Sequence, residues 1–152
     1  MTLSLASLAL AAAAVLSVAS PSVNALNPIT IKGYKMFDVQ SGEYFAAKGI
    51  AYYPRPNAGE LDANNVDFFT DDHYDIWSKD LPYMAAAGAN AVRVYAVDPS
   101  KSHDKFMCAL SSLGMYALVD LGASCEGCAI SNDKYPACYP PSLKARGEHI
   151  IL

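Results

Sequence analysis

Ala91-Val92-Arg93-Val94-Tyr95-Ala96-Val97-Asp98-Pro99 is the stretch whose reading decides the fold. Ala91 to Ala96 is a short apolar and β-branched run of the kind that forms a buried strand, and Asp98-Pro99 ends it because proline cannot donate to a ladder. A strand alternates faces, so Arg93 and Tyr95 point the same way, and a buried guanidinium there calls for a carboxylate partner. Upstream, Gly49 to Tyr53 is a second such run, stopped by Pro54-Arg55-Pro56. Downstream, Met115 to Leu121 is a third.

Helical patterns separate these strands. Tyr74 to Ala87 carries Ile76, Trp77, Leu81, Tyr83 and Met84 near helical spacing and ends at Gly88, with Pro82 predicting a kink. Ser102 is placed to cap a helix whose Phe106, Leu110 and Leu113 share a face, closed by Gly114. Residues 57–73 are polar and read as a surface loop. Residues 122–141 form a cysteine-rich loop, and Ser142 is placed to cap a last helix. Before the first strand, Ile29 to Ile31 and Tyr34 to Val39 make a hairpin-like preamble, with a turn at Gln40 to Glu43. The resulting order, β-α-β-α-β-α, predicts an α/β fold whose parallel strands are covered on both faces.

A doubly wound sheet and a (β/α)8 TIM barrel both satisfy that order. The Gly-x-Gly-x-x-Gly turn of a dinucleotide fold follows none of the three strands. Instead the strands end in Tyr53, in Tyr95 with Asp98, and in Asp120, residues suited to sugar or acid chemistry. Barrels build their sites at such C-terminal strand ends, which favours the N-terminal part of a barrel with about three βα units.

The chain has 152 residues, and 17 of the first 25 are apolar. Met1 to Ala25 carries an apolar run and ends in Val23-Asn24-Ala25, the cleavage pattern of a secretory signal peptide, with the amino terminus as the sole positive charge of its n-region because Lys and Arg are absent. Its apolar run is too short for the ~20 residues of a spanning helix. The remaining 127 residues suffice for one domain in an oxidising compartment. With 11 basic against 15 acidic residues and no cationic cluster, the chain lacks the patch that nucleic acid requires.

Gly49-Ile50-Ala51-Tyr52-Tyr53-Pro54, the run from Arg93 to Asp104, and Gly114 to Leu121 together resemble the N-terminal part of the β-1,3-glucanosyltransferases of glycoside hydrolase family 72. The resemblance covers most of residues 27–121, and Arg93-Val94-Tyr95-Ala96-Val97-Asp98-Pro99 is its most specific part. It implies a secreted, cell-wall (β/α)8 enzyme that cuts β-1,3-glucan and joins the glycosyl-enzyme to another chain, needs no cofactor, and meets a membrane only through a lipid anchor. It also implies that Tyr95 and Asp120 contact substrate and that Tyr53 does so in place of a glutamine. The resemblance implies that Arg93 stands where related barrel glycosidases place an arginine that hydrogen-bonds the catalytic nucleophile. The family's cysteine pair between its first two helices corresponds to Trp77 and Phe106, so an apolar contact is expected there.

The resembling enzymes use a retaining pair of carboxyl groups roughly 5 Å apart, both glutamates on later strands, one of them after an asparagine. Here Glu60, Glu126 and Glu148 neither follow Asn nor end a predicted strand. A full barrel needs ~250 residues, so the chain reads as part of one, without the catalytic pair. Asp98 and Asp120, at neighbouring strand ends, are the alternative acid pair; the plainer reading of Asp98 is a strand terminator. A non-catalytic glucan-binding wall protein and a small disulfide or metal module are the rival functions.

Cys108, Cys125, Cys128 and Cys138 allow two disulfides in three connectivities. Free thiols are a second possibility, and a zinc site of Cys125, Cys128 and Cys138 with His149 a third. His73, His103 and His149 read as solvated or packing residues. Glu60, Asp62, Asp67, Asp71, Asp72 and Asp75 read as a solvated acidic face, since they lack the spacing and central glycine of a calcium loop. Tyr52 is expected in the core, with Tyr53, Tyr95 and Tyr139 available to stack on sugar rings.

Overall fold

The computed structural model describes residues 26–56, 59, 65–122, 129–130 and 139–151. Residues 1–25, where a signal peptide is expected, and Cys125, Cys128 and Cys138 lie outside the described residues.

The preamble is an antiparallel hairpin of β1 (Ile29–Lys32) and β2 (Lys35–Asp38), turning at Gly33 with φ +65°. Asp38 organises the following turn by accepting from the backbone N–H groups of Gln40 and Ser41 at 2.8 Å. Those bonds, the Ser41 N–H foremost, hold its carboxyl below the usual carboxylate range. Tyr116 Oη donates to the Asn27 carbonyl at 2.6 Å and the Asn90 amide donates to the Ala46 carbonyl at 3.0 Å. The hairpin is therefore fastened at the N-terminal ends of the strands that follow.

Those strands are β3 (Gly49–Tyr52), β4 (Ala91–Val94) and β5 (Tyr116–Val119), parallel and in sequential order. Each is shorter than its apolar run. In β4 the cause is Ala96, which turns into the left-handed region at φ +54°, a conformation costing a non-glycine residue about 1 kcal/mol.

Ile50, Val92 and Ala117 form one row across the sheet, and Tyr52, Val94 and Val119 another. Both rows pack into the core with Phe69, Trp77, Leu81, Phe106, Leu110 and Met115. The row between them, Ala51, Arg93 and Leu118, points the other way and is exposed. Among the described residues the strands are thus covered on one face, which corrects the expectation of double cover; in a closed barrel this second face is the one that side chains fill.

The first helical crossover is broken rather than kinked. A 3-10 turn (Asp71–His73) leads into α1 (Tyr74–Trp77), and α2 (Leu81–Ala86) begins afresh. Pro82 falls in the first turn of α2, where its missing N–H has no intrahelical acceptor to lose. Asp80 lies just before it and accepts from Tyr52 Oη at 2.7 Å. Burial and this carboxylate together push the Tyr52 phenol well up. Gly88, at φ +80°, closes the segment as expected.

The surface-loop expectation fails at its end, because Asp67, Phe68, Phe69 and Thr70 are buried. Phe69 packs against Tyr52 and Phe106, and Phe68 against Tyr53. The second helix, α3 (Asp104–Ser112), has His103 rather than Ser102 at its cap position. Its first turn is satisfied from a distance: Asp71 accepts from the Lys105 N–H at 2.9 Å and from Ser102 Oγ at 2.8 Å. These bonds, that of Lys105 first, lower the Asp71 pKa. Asp71 and Asp67 therefore leave the solvated acidic face expected of them.

Trp77 and Phe106 meet edge to face with ring centroids 5.1 Å apart, so an aromatic contact joins the two crossovers where the resemblance implied an apolar replacement for a disulfide. Among the described residues Cys108 is exposed and in no disulfide. The last helix, α4 (Pro141–Ile151), starts one residue before Ser142. Among the described residues no helix is long and apolar enough to cross a membrane.

Candidate functional site

Tyr53, Tyr95 and Asp120 each follow the last paired residue of β3, β4 and β5. By strand alternation they continue the face that carries Ala51, Arg93 and Leu118. The sheet register thus brings the three residues singled out from the sequence to one end of the sheet, on its uncovered side.

The rings of Tyr53 and Tyr95 stand edge to face, centroids 6.4 Å apart at 89°. Tyr53 is held from behind, where its Oη donates to the Val66 carbonyl at 2.8 Å and its ring meets Phe68 edge-on at 5.2 Å. Burial raises its pKa, against the opposing pull of that carbonyl bond and of Arg55. The Arg55 guanidinium lies 5.4 Å from the Tyr53 ring centre, a contact the strand-end reading did not anticipate.

Arg93 donates to Asp120 through Nε and Nη2, both at 2.8 Å, and its guanidinium lies 4.7 Å from the Tyr95 ring centre. The carboxylate partner sought for Arg93 is therefore the neighbouring candidate, Asp120. Its side chain is half exposed, which corrects the expectation of a buried guanidinium. The pairing raises the Arg93 pKa, the hydrogen bond with Asp120 contributing most. The fork fixes both groups while leaving them in reach of solvent, so they are placed to meet sugar hydroxyls. Because the pair is wet, Asp120→Asn is expected to change unfolding free energy by no more than about 1 kcal/mol in urea titration.

Asp98 does not join an acid pair. Its Oδ1 accepts from Ser100 N–H and Ser100 Oγ at 3.0 and 2.7 Å, an Asx-type turn, and the Ser100 hydroxyl leads in lowering its pKa. This matches the strand-terminator reading. Of the two readings given for His103 and His73, solvated or packing, the structure favours packing, with both partly buried and hydrogen-bonded inside the fold. His103 Nε2 lies 2.8 Å from Asp67 Oδ2 in a largely buried ion pair, and His73 Nδ1 lies 2.9 Å from the Asp67 carbonyl oxygen. His149 is exposed on α4. Tyr139 is exposed and lines an open apolar groove with Leu121, Pro141 and Leu143, apart from the Tyr53 and Tyr95 pair. Among the described residues no group of three or more His, Cys, Asp or Glu is placed to hold a metal ion.

Arg146 also went unforeseen. This buried residue of α4 donates through Nε to the Leu121 carbonyl at 2.9 Å and through Nη2 to the Val97 carbonyl. It ties together the segments just beyond Tyr95 and Asp120.

Sequential parallel βα units with tyrosines and a charged fork at their C-terminal ends define the opening portion of a carbohydrate-active barrel. The chain belongs to the glycoside hydrolase 72 family of glucanosyltransferases, whose family model matches residues 18–143. It is 48% identical over 99 residues to 1,3-beta-glucanosyltransferase GAS2 of Saccharomyces cerevisiae, a match covering 61% of this chain and 18% of that protein. It is 36% identical over 128 residues to 1,3-beta-glucanosyltransferase gas1 of Schizosaccharomyces pombe, covering 82% of this chain and 22% of the relative. The structure of Saccharomyces cerevisiae Gas2p in complex with laminaripentaose superposes with a TM-score of 0.67 at 39% identity, covering 86% of this chain and 28% of that one. The chain thus spans about a fifth of the length of the curated relatives it matches. Its fold is the N-terminal part of the TIM barrel.

Proposed function

We propose that this chain supplies part of the glucan-binding groove of a secreted, cell-wall β-1,3-glucanosyltransferase, and that binding rather than transfer is what these residues perform. The observation that carries this reading is the row of Tyr53, Tyr95 and Asp120 at the strand ends, with Arg93 forked onto Asp120 and set against Tyr95. Aromatic rings offer apolar surface to the C–H faces of glucose, while the carboxylate and guanidinium offer acceptors and donors to its hydroxyls. The Gas2p complex with laminaripentaose supports β-1,3-glucan as the ligand.

The retaining reaction of the whole enzyme needs an acid and a nucleophile, and the strand ends among the described residues supply neither. Asp120 is neutralised by Arg93, and Asp98 is occupied by its own turn. Arg93 serves this groove by fixing Asp120 and, in a complete barrel, by orienting a nucleophile contributed from a later strand. A complete enzyme would therefore draw both glutamates from elsewhere.

Calorimetric titration with laminaripentaose tests the proposal. Saturable binding is expected, and Tyr95→Ala is expected to weaken it about tenfold, the loss of one stacking ring costing about 1.4 kcal/mol. Equal affinity in the two proteins would remove Tyr95 from the groove. Formation of elongated oligosaccharides by the 152-residue chain would overturn the non-catalytic part.

A further inference from the structure

The geometry points to Asp67 as a positioning residue for both groove tyrosines, with His103 as its counter-ion; this rests on the glucan-binding reading above. Asp67 lies in a segment without regular structure, yet is 4% exposed, and its carboxylate is fully employed. Oδ1 accepts from the Phe69 N–H at 2.9 Å. Oδ2 accepts from the Asp98 N–H at 2.6 Å and pairs with His103 Nε2 at 2.8 Å.

The two ends of this bond system are the supports of the two tyrosines. On one side, Val66 and Phe68 flank Asp67 in the chain, and they hold the Tyr53 hydroxyl and ring. On the other, Asp98 follows Tyr95 by way of Ala96, which sits in the left-handed region at φ +54°. Such a conformation persists where surrounding bonds over-determine it, and the Asp67 to Asp98 bond supplies one two residues further on. A single carboxylate thus sets the backbone behind Tyr53 and the backbone beyond Tyr95, and with them the perpendicular ring pair.

Removing the charge leaves the shape of the residue but not its bonding capacity. The amide introduced by Asp67→Asn would offer one acceptor oxygen where three donors now converge on two, and would aim an N–H₂ group at the Asp98 N–H or the Phe69 N–H. His103 is the group that makes the latch sensitive to pH. Its bond to Asp67 raises its pKa, burial opposing. Asp71 faces it from the 3-10 turn and the Lys101 backbone from its own loop, while Asp98, Asp104 and Lys105 are its charged neighbours in the chain; His73 contacts the Asp67 backbone carbonyl. Because the folded-state value is raised, the ion pair is fully formed below the ordinary histidine value of ~6.5 and weakens as pH rises through the higher folded value.

Laminaripentaose is titrated calorimetrically into the full chain, its Asp67→Asn variant and its His103→Gln variant from about pH 5.5 to about pH 9, bracketing the ordinary histidine value. The parent's affinity is expected to fall across that window. Asp67→Asn is expected to bind about tenfold more weakly at the acid end, as the loss of a hydrogen-bonded charge implies, with no pH dependence left. His103→Gln keeps a donor for Asp67 and is expected to bind within about threefold of the parent but to be flat with pH. Unchanged affinity in a folded Asp67→Asn protein overturns the proposal, as does a parent profile retained in His103→Gln. If the parent itself does not bind the sugar, the glucan reading fails separately. The positioning claim is then read from the unliganded chain by the nuclear Overhauser contact between the Tyr53 and Tyr95 rings. Loss of that contact in Asp67→Asn supports the claim, and its persistence overturns it.

Discussion

Trp77→Ala is expected to destabilise the protein by about 3–5 kcal/mol, a large share of the stability of an ordinary domain. Trp77 is fully buried, and three neighbours depend on it. Phe106 and Tyr74 meet its ring edge-on at 5.1 and 5.0 Å, and its Nε1 donates to the Thr70 carbonyl at 3.1 Å. Alanine would open a cavity between the two crossovers and remove one of the two hydrogen bonds that the Thr70 carbonyl accepts, leaving it the bond from the His73 N–H at 3.1 Å, so the cavity dominates the loss. Trp77→Phe separates the two, since it retains most of the ring packing and forfeits the hydrogen bond while Thr70 keeps its bond from His73, for an expected loss of about 0.5–1.5 kcal/mol. Urea unfolding followed by far-ultraviolet circular dichroism is the measurement, because the chain has one tryptophan and both variants abolish its fluorescence. An alanine variant as stable as the parent would mean that the helices are held together by something other than this contact.

Arg146→Met is the second large effect, expected at about 3 kcal/mol. Methionine fills much of the same volume, so packing changes little, and the loss is polar. The Leu121 and Val97 carbonyls each lose a charged donor, at about 1–3 kcal/mol apiece when buried; Leu121 is partly exposed, so water recovers some of its share. Arg146→Lys restores one donor at a time, lacking the planar fork, and is expected to recover about half. Amide exchange localises the effect: the protection of α4 is expected to collapse in the methionine variant while that of β4 and α3 remains. Uniform loss of protection would show that α4 and the sheet unfold as one unit.

The strands were legible because burial writes itself into composition: Val92, Val94 and Met115 announce an apolar face, and the following Tyr95 and Asp120 break it. The residues of the candidate site were legible for the same reason, since strand alternation places Arg93 and Tyr95 together before any coordinates exist. The break between α1 and α2 was not, because Pro82 signals a kink or a fresh start equally well. Asp67 and Asp71 were hidden among other acids. Nothing in a run of aspartates distinguishes the one that meets His103 from the one in water, as that depends on a partner 36 residues away. Arg146 was invisible for a related reason: its acceptors are backbone carbonyls, which every residue possesses.

Asp71 carries a consequence for the order in which the molecule assembles. The first turn of α3 obtains its acceptor from a residue 34 positions earlier in the chain, beyond β4. A peptide spanning α3 alone would lack that acceptor and fray at its start, however favourable its apolar stripe. The helix becomes complete at its N-terminus when the Asp71 turn docks, and docking requires β4 to have already joined the two segments. Sequence neighbours therefore propose this helix, and a distant aspartate ratifies it, so that synthesis of the chain past Leu110 leaves no independent α3 waiting for a sheet.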